Sequence, residues 1–580
     1  MGASYTVERN VQILISLLKA HGVKRIVASP GATNITLVGS LQQDSYFSIY
    51  SSVDERSAAY LACGLAAESG EPVALSCTGA TASRNYVSGL TEAYYRNLPV
   101  LAITSTQHPG RIGQYIPQVI DRTTQMNDVV RMSIQALSVH SREDEWACNL
   151  KINEALLELT RNGGGPVHIN LQTEYSPDFS VKDLPQERVI RRYVAGDELP
   201  TVPEGRVGVF IGAHAPIDED LENEIDAFCA KYGAVVVCDH TSNYHGAYRV
   251  LAPLVTNQDN ALPACATFSL LIHIGQVSGG YIRVAASQVW RVNPDGIVRD
   301  TFKKLTSVFQ MDEKSFFTLY ANLEPKHAAY KDLLKEWKDA RRNIEAKIPE
   351  LPFSNLWIAS KTVCSLPANS VLHLGILNSL RAWNMFECDE SIQCFSNTGG
   401  FGIDGGVSSL FGASFADREK LYFGIFGDLA FFYDMNVLGN RHVGSNVRIM
   451  VVNNGRGTEF RNYSHPAARF GDDADLYMAA AGHFGNKSVS LIKHFAEDLG
   501  FIYLSASNKN EYLSAMPAFI SPERGEQPVL FEVFTDSQAE SDALETISNL
   551  EVDAKGVARK IVKKAFGQKG VDTVKSIIGR

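Results

Sequence analysis

Gly427-Asp428 and Asn453-Asn454 are the residues whose types and spacing carry the clearest chemistry in this chain. Asp428 and Asn454 stand 26 positions apart. A carboxylate and a side-chain amide are hard oxygen ligands of the kind magnesium takes in an octahedral shell shared with phosphates. Gly427 leaves the backbone bare enough for a diphosphate to approach, and the amides at the start of the following helix favour its charge. A main-chain carbonyl near Arg456, in the loop Gly455 to Phe460, would complete the metal shell. The competing reading is an ordinary strand-helix-strand unit with polar strand ends.

The elements that must position these groups are two apolar runs, Leu421 to Phe426 and Val447 to Asn453, which read as buried parallel strands. Phe431 to Arg441 lies between them as a crossover helix. Asp428 and Asn454 then sit at the carboxyl ends of two strands, the ligand edge of an open α/β sheet. A glycine-dense loop, Asn397 to Gly406, precedes the unit and carries Ile403, 25 positions before Asp428.

The 580 residues predict several domains with large cores, and 45% apolar with 20% charged content is that of a globular protein. A net charge of −10 argues against general nucleic-acid binding. Nine cysteines without a C-x-x-C pair read as reduced, mostly buried thiols, and no apolar stretch is long enough to span a membrane. A cytoplasmic location is the expectation. The fold expected is α/β, three doubly wound parallel-sheet domains: residues 1–185, residues 186–350 and residues 351–540, followed by a basic tail over 541–580. Within the first domain, strands over Val73 to Cys77 and Val100 to Thr104 lead into Thr78-Gly79 and Ser105-Thr106-Gln107-His108. Residues 186–204 read as a linker. Gly212, Gly275, Gly279 and Gly280 of the second domain read as structural, because no dinucleotide G-x-G-x-x-G pattern stands there. In the tail, Val557, Ile561 and Ala565 share a face with lysines around them, so it is either a solvated tail or an amphipathic helix that touches a partner or an anionic surface.

Glu55 begins a helix made mostly of Ala, Leu, Cys and Gly, where a carboxylate is expected to be partly desolvated. It is equally a residue that a helix dipole favours at its first turn. His108 has a ring suited to proton relay near neutral pH, or a structural role in its loop.

With Glu55, Gln118, Ile403, Asp428 and Asn454 in this order, the chain to about residue 540 resembles the thiamine-diphosphate enzymes of the decarboxylase and acetolactate-synthase type. The local matches Ser29-Pro30-Gly31, Asp54-Glu55-Arg56, Trp290 to Gly296, Asn378-Ser379, Gly402-Ile403-Asp404-Gly405 and Gly427-Asp428-Leu429 are similar to the menaquinone-pathway carboligase family, the 2-succinyl-5-enolpyruvyl-6-hydroxy-3-cyclohexene-1-carboxylate synthases. The resemblance implies thiamine diphosphate and Mg2+ as cofactors. Glu55, Thr78, Asn378, Ser379, Ile403, Gly427, Asp428, Leu429, Ala430 and Asn454 would touch the coenzyme. Glu55 would hydrogen-bond its aminopyrimidine and drive its activation, and Ile403 would hold it bent. Asp428, Asn454 and Arg456 would serve the metal, and His108 and Gln118 would transfer protons or orient substrate. A homodimer or dimer of dimers is implied, with small molecules as the other partners.

The function expected is a carboligase that decarboxylates a 2-oxo acid donor and adds the resulting enamine to a carbonyl acceptor. The alternatives are a simple decarboxylase releasing an aldehyde, and an inactive binding protein of the same fold. The synthases clamp two acidic substrates with arginines at four places where this chain holds Thr33, His108, Trp383 and Thr398, although Arg381 lies close to the third. Each lost charged contact is worth about 1.5 to 3 kcal/mol. The expectation is therefore a different substrate pair on a shared scaffold, with isochorismate not the acceptor, and with Thr33, His108, Trp383, Thr398 and Glu459 as the substrate-facing candidates.

Overall fold

Short apolar runs bounded by Gly, Ser, Thr and Asp form parallel strands throughout the chain. The computed structural model describes residues 3–552. The basic segment with Val557, Ile561 and Ala565 lies outside the described residues. Helix Ser537–Ser548 crosses the expected boundary at residue 540. Among the described residues no helix is long and apolar enough to cross a membrane.

The chain divides into two compact units, Met1–Glu198 with Asn293–Met311, and Leu199–Val292 with Asp312–Arg580. In the first unit the strands are β1 (Arg25–Ala28), β2 (Ser48–Ser51), β3 (Val73–Thr78), β4 (Val100–Thr106), β5 (Met132–Ala136) and β6 (Val167–Gln172). They form one sheet in the order β2-β1-β3-β4-β6-β5, with every pairing parallel. Strands β3, β4 and β6 are covered on both faces, so their alternate residues enter two separate apolar clusters, one around Leu14, Leu101 and Ile169 and the other around Ala62, Leu75 and Val100. Residues 186–204, expected as a plain linker, contribute β7 (Arg191–Tyr193), because Arg191, Arg192 and Tyr193 find strand partners at Ser307, Val308 and Phe309.

The second unit contains β8 (Val207–Ile211), β9 (Val235–Cys238), β10 (Arg249–Leu251), β11 (Thr267–Ile274) and β12 (Ala285–Val292), in the order β10-β9-β8-β11-β12. Strand β13 (Leu305–Phe309) returns to the first unit, where it pairs with β7. Gly212 packs so close to the Gln276 carbonyl that a Cβ there would lie 1.9 Å from it, which gives this glycine a packing role.

The second unit also holds β14 (Val371–Leu374), β15 (Gln393–Phe395), β16 (Tyr422–Gly427), β17 (Val447–Asn453), β18 (Ile502–Ala506) and β19 (Val529–Phe534). Their order, β15-β14-β16-β17-β19-β18, repeats that of the first sheet strand for strand. In both sheets the chain leaves the first strand to one side and returns to the other. That reversal opens a crevice at the carboxyl ends, between β1 and β3 in one sheet and between β14 and β16 in the other. The polar candidates cluster at these two places.

Glu540 illustrates how the second unit is tied together. It is 8% exposed, accepts the Asn355 N–H that opens helix Asn355–Thr362 at 3.0 Å, and accepts the Thr535 hydroxyl at 2.7 Å. Burial pushes its carboxyl up to about 7. A glutamate in the unfolded chain titrates near 4.3, so the native state holds the proton over the window between. The stability contributed by this site is therefore complete at low pH and lost as pH rises from about 4.3 to 7, a cost on the order of 3 kcal/mol above that range. Glu540→Gln keeps an acceptor that does not titrate. Its melting temperature should exceed that of the wild type at pH 8 and converge with it at pH 5; a difference independent of pH would refute the assignment.

Candidate active site

Strand β16 ends at Gly427, and the chain turns at once into helix Asp428–Asp434, followed by a 3-10 turn over Met435–Gly439. The expected crossover helix over Phe431 to Arg441 thus starts earlier and ends sooner, because Gly427 occupies the N-cap position and the Gly439-Asn440 bend stops it. Asp428 is left at the helix start, 4% exposed. Its carboxylate accepts the backbone amides of Leu429, Asn454 and Gly455, and burial pushes it up to about 7. A carboxylate this buried, opposed by amides alone, is suited to a cation that would restore its charge. A Cβ at Gly427 would meet nothing within 4 Å, so open space lies beside it.

Asn454 is brought to Asp428 by the register of β16 and β17, in which Gly427 lies opposite Val452. Its neighbour Asn453 is locked by Glu532 of β19, whose Oε1 accepts the Asn453 amide at 2.7 Å while Oε2 accepts the Tyr503 hydroxyl at 2.8 Å. The Asn454 side-chain oxygen Oδ1 accepts the Arg456 N–H at 3.4 Å, and the Arg456 side chain is drawn to Asp475, so only its main chain is offered to a metal. Among the described residues no group of three or more His, Cys, Asp or Glu could hold a metal. The donor set is one carboxylate, one amide and a carbonyl, which suits magnesium completed by phosphate oxygens and water rather than a transition metal.

The loop carrying Ile403 is fixed from below. Asp434, 7% exposed, accepts both the N–H and the hydroxyl of Ser408 at 2.6 Å, which holds the start of helix Gly406–Ala416 against the helix that begins at Asp428. Ile403 is half-buried beside Gly405, whose φ of +83° requires a glycine at the helix entry. Glu532 and Asp434 escape a reading of the sequence, since a buried acid that orients a ligand looks the same in sequence as one on a surface.

Across the crevice, β14 leads into Leu377, which adopts φ 67° and ψ −120°. A leucine held there stores about 1 to 3 kcal/mol of strain, a feature concentrated at functional turns. Asn378 follows, and its side-chain oxygen Oδ1 accepts from Arg381 at 3.2 Å and from Asn462 at 3.4 Å. Ser379 is 3% exposed and accepts the Asn355 amide. Arg381 forms a two-bonded pair with Glu459, at 2.9 and 3.0 Å, and stacks over the Tyr281 ring at 4.3 Å.

In the first unit, at the carboxyl ends of β1 and β3, the Thr33 and Thr78 hydroxyls lie 2.5 Å apart. Glu55 opens helix Glu55–Ser69 after the Asp54 cap, is half-buried, and accepts the Asn85 amide at 3.2 Å. Its charge acts on Cys77 at the end of β3 and on Tyr86. Arg122, which sequence reading passed over, spans the same edge, donating to the Gly79 carbonyl and to Asn170; with no acid in contact, burial lowers its guanidinium to about 10. His108 and Gln118 are exposed in the long segment after β4. His108 caps a short turn by accepting the Gly110 N–H at 3.0 Å, and Gln118 sits at φ 64°.

Three of the substrate-facing candidates are buried. Trp383 is 0% exposed and donates its indole N–H to Asn355 at 3.0 Å; helix Asn378–Trp383 turns it into the core. Thr33 is 1% exposed, with its hydroxyl held among Thr78, the Ser105 carbonyl and the Gly79 N–H. Thr398 is 5% exposed, with its methyl against Gly279. These three positions are filled by packing and do not face an open site. Trp383→Ala should therefore cost about 3 to 5 kcal/mol in denaturant unfolding, whereas a small loss of stability would return Trp383 to the substrate side.

Comparison with known proteins agrees with this geometry. Residues 9–126 match the family described as thiamine pyrophosphate enzyme, N-terminal TPP binding domain. The chain is 31% identical over 560 residues to 2-succinyl-5-enolpyruvyl-6-hydroxy-3-cyclohexene-1-carboxylate synthase of Bacteroides fragilis, covering 93% of this chain and 98% of the relative. It is 32% identical over 569 residues to the synthase of Phocaeicola vulgatus, with the same coverage, and 27% identical over 578 residues to that of Porphyromonas gingivalis, covering 92% and 96%. The doubly wound sheets, the two strand-end crevices and these full-length similarities agree: the chain belongs to the thiamine-diphosphate-dependent, carbon–carbon bond-forming transferases, in the family of the 2-succinyl-5-enolpyruvyl-6-hydroxy-3-cyclohexene-1-carboxylate synthases.

Proposed function

We propose that this protein is a carboligase that decarboxylates a 2-oxo acid and joins the remaining acyl carbon to the carbonyl carbon of an acceptor. The observation that carries the reading is the buried Asp428 carboxylate beside the open space at Gly427, in a chain that retains Glu55. Asp428, the Asn454 amide and the Arg456 carbonyl would hold Mg2+, while Gly427 and the amides of Leu429 and Ala430 would receive the diphosphate. Asn378 and Ser379 would flank it, and Thr78 and Ile403 would contact the rings. When bound, thiamine diphosphate supplies the electron sink that lets carbon dioxide leave.

The chain's own residues then have three tasks. Glu55 would share a proton with the aminopyrimidine ring nitrogen and so set its tautomer. Ile403 would pack against the coenzyme from a loop anchored through Asp434. His108 or Gln118 brings a proton donor toward the acceptor oxygen as the new bond forms.

A homodimer is the minimal active form in this proposal. A groove lined by Arg56, Ser57, Tyr60, Leu61, Gly64 and Leu65 runs along the Glu55 helix, with Tyr60 47% and Leu61 50% exposed, and a second copy of the chain would cover that apolar surface.

The test is to incubate the protein with thiamine diphosphate, magnesium and a panel of 2-oxo acids, following carbon dioxide release and analysing products with and without aldehyde acceptors. Release with a carbon–carbon bonded product is the expected result. Free aldehyde as the sole product in the presence of every acceptor would make the protein a simple decarboxylase, and no release from any 2-oxo acid would end the proposal.

A further inference from the structure

Thr33, Trp383 and Thr398 are buried, yet the second unit holds a cavity of about 270 Å³ bordered by Arg381 and Glu459. Arg381 also donates to Asn378, so the cavity adjoins a residue assigned to the coenzyme. From the geometry of this wall, and resting on the carboligase reading above, we infer that the cavity receives a neutral, polyhydroxylated acceptor: an aldehyde of the sugar class rather than an acid.

The wall's charges carry the argument. Arg381 is matched by Glu459, both side chains are largely shielded, at 12% and 17% exposure, and Tyr281 covers the guanidinium face. Arg283, the other arginine on the wall, donates to the main-chain carbonyls of Gln258 and Ala261. Glu545 adds negative charge. A carboxylate ligand entering here would have to displace Glu459 from Arg381 and would face a further acid. A hydroxyl, which donates and accepts at once, can instead bridge the existing pair, donating to the Glu459 oxygens and accepting from Arg381. Tyr463 and Ser541 extend the row of polar groups, while Tyr281 and Leu544 provide apolar surface for the C–H faces of a sugar-like chain. The volume lies just below the usual range for small-molecule sites, which suits one compact ligand.

The overall step balances as R–CO–COOH plus R′–CHO giving R–CO–CH(OH)–R′ plus carbon dioxide. One carbon–carbon bond breaks in the donor, one forms to the acceptor carbonyl carbon, and the donor's acidic proton is balanced by the proton that ends on the new hydroxyl. No oxidant or reductant is required.

The test uses the full chain loaded with thiamine diphosphate and magnesium. D-Erythrose and D-arabinose are compared as acceptors with succinic semialdehyde and glyoxylate, products being followed by mass spectrometry. In parallel, calorimetry measures binding of the unreactive polyol D-arabinitol and of succinate to the same protein. Hydroxylated aldehydes should be ligated in preference to the acids, arabinitol should bind and succinate should not. Glu459→Gln should raise the aldose KM at least tenfold, and Tyr281→Leu, which leaves the ion pair in place, should weaken arabinitol binding by a similar factor. Carbon dioxide release with ligation to the acidic aldehydes alone, or succinate binding without arabinitol binding, would overturn the inference and leave the carboligase reading standing. Absence of carbon dioxide release from any donor would overturn that reading, and the calorimetry would still decide what the cavity binds.

Discussion

Glu55→Gln should lower carbon dioxide release from any accepted 2-oxo acid by at least about a hundredfold while leaving the protein folded. The carboxylate opens helix Glu55–Ser69, half-buried, with an amide of Asn85 on one oxygen, and a glutamine fits that position without new volume. What glutamine cannot do is share a proton with the aminopyrimidine nitrogen, and general acid–base contributions of this kind are worth about 10² to 10⁴ in rate. Hydrogen–deuterium exchange at the thiazolium C2, followed by NMR on the loaded protein, isolates this step from later ones. Exchange and turnover should fall together. Turnover equal to the wild type would remove Glu55 from the mechanism.

Asp428→Ala should abolish magnesium-dependent binding of thiamine diphosphate, raising its Kd by a hundredfold or more, on the order of 3 kcal/mol. Among the described residues no cluster of His, Cys, Asp or Glu stands ready to replace it, so the metal would rest on one amide, one carbonyl and the phosphates. Removing the single anionic protein ligand leaves the diphosphate charge matched by helix amides alone, each a partial charge. Titration of the coenzyme with and without magnesium, monitored by calorimetry, checks this. The wild type should show a strong metal dependence and the variant almost none. Equal, tight binding by the variant would place the metal elsewhere.

Much of this site was legible in the sequence because buried parallel strands write themselves as apolar runs. Strand β17 lies over the same residues as the run Val447 to Asn453, and strand β16 is displaced by a single residue from Leu421 to Phe426. A polar residue that follows such a run stands at the strand end, so the runs themselves place Asp428 and Asn454 at the sheet edge. Helix limits were harder. Nothing in Phe431 to Arg441 reveals that Gly427 caps a helix starting at Asp428, since the amphipathic pattern is blurred by residues packed on several sides. Side-chain direction was harder still. Position in the chain points Trp383 and Thr398 toward substrate, but an indole or a methyl follows the cheapest route out of water, and here that route leads inward. Glu532 and Asp434 hold Asn453 and Ser408, and such supporting roles depend on contacts between residues far apart in the chain.

The inward turn of Thr33, Trp383 and Thr398 also sets how the chain would answer a new charge there. A guanidinium at any one of the three would thrust a long cation among close-packed neighbours. Such a variant would lose foldability before it gained selectivity, so reshaping this wall demands concerted rebuilding of the interior.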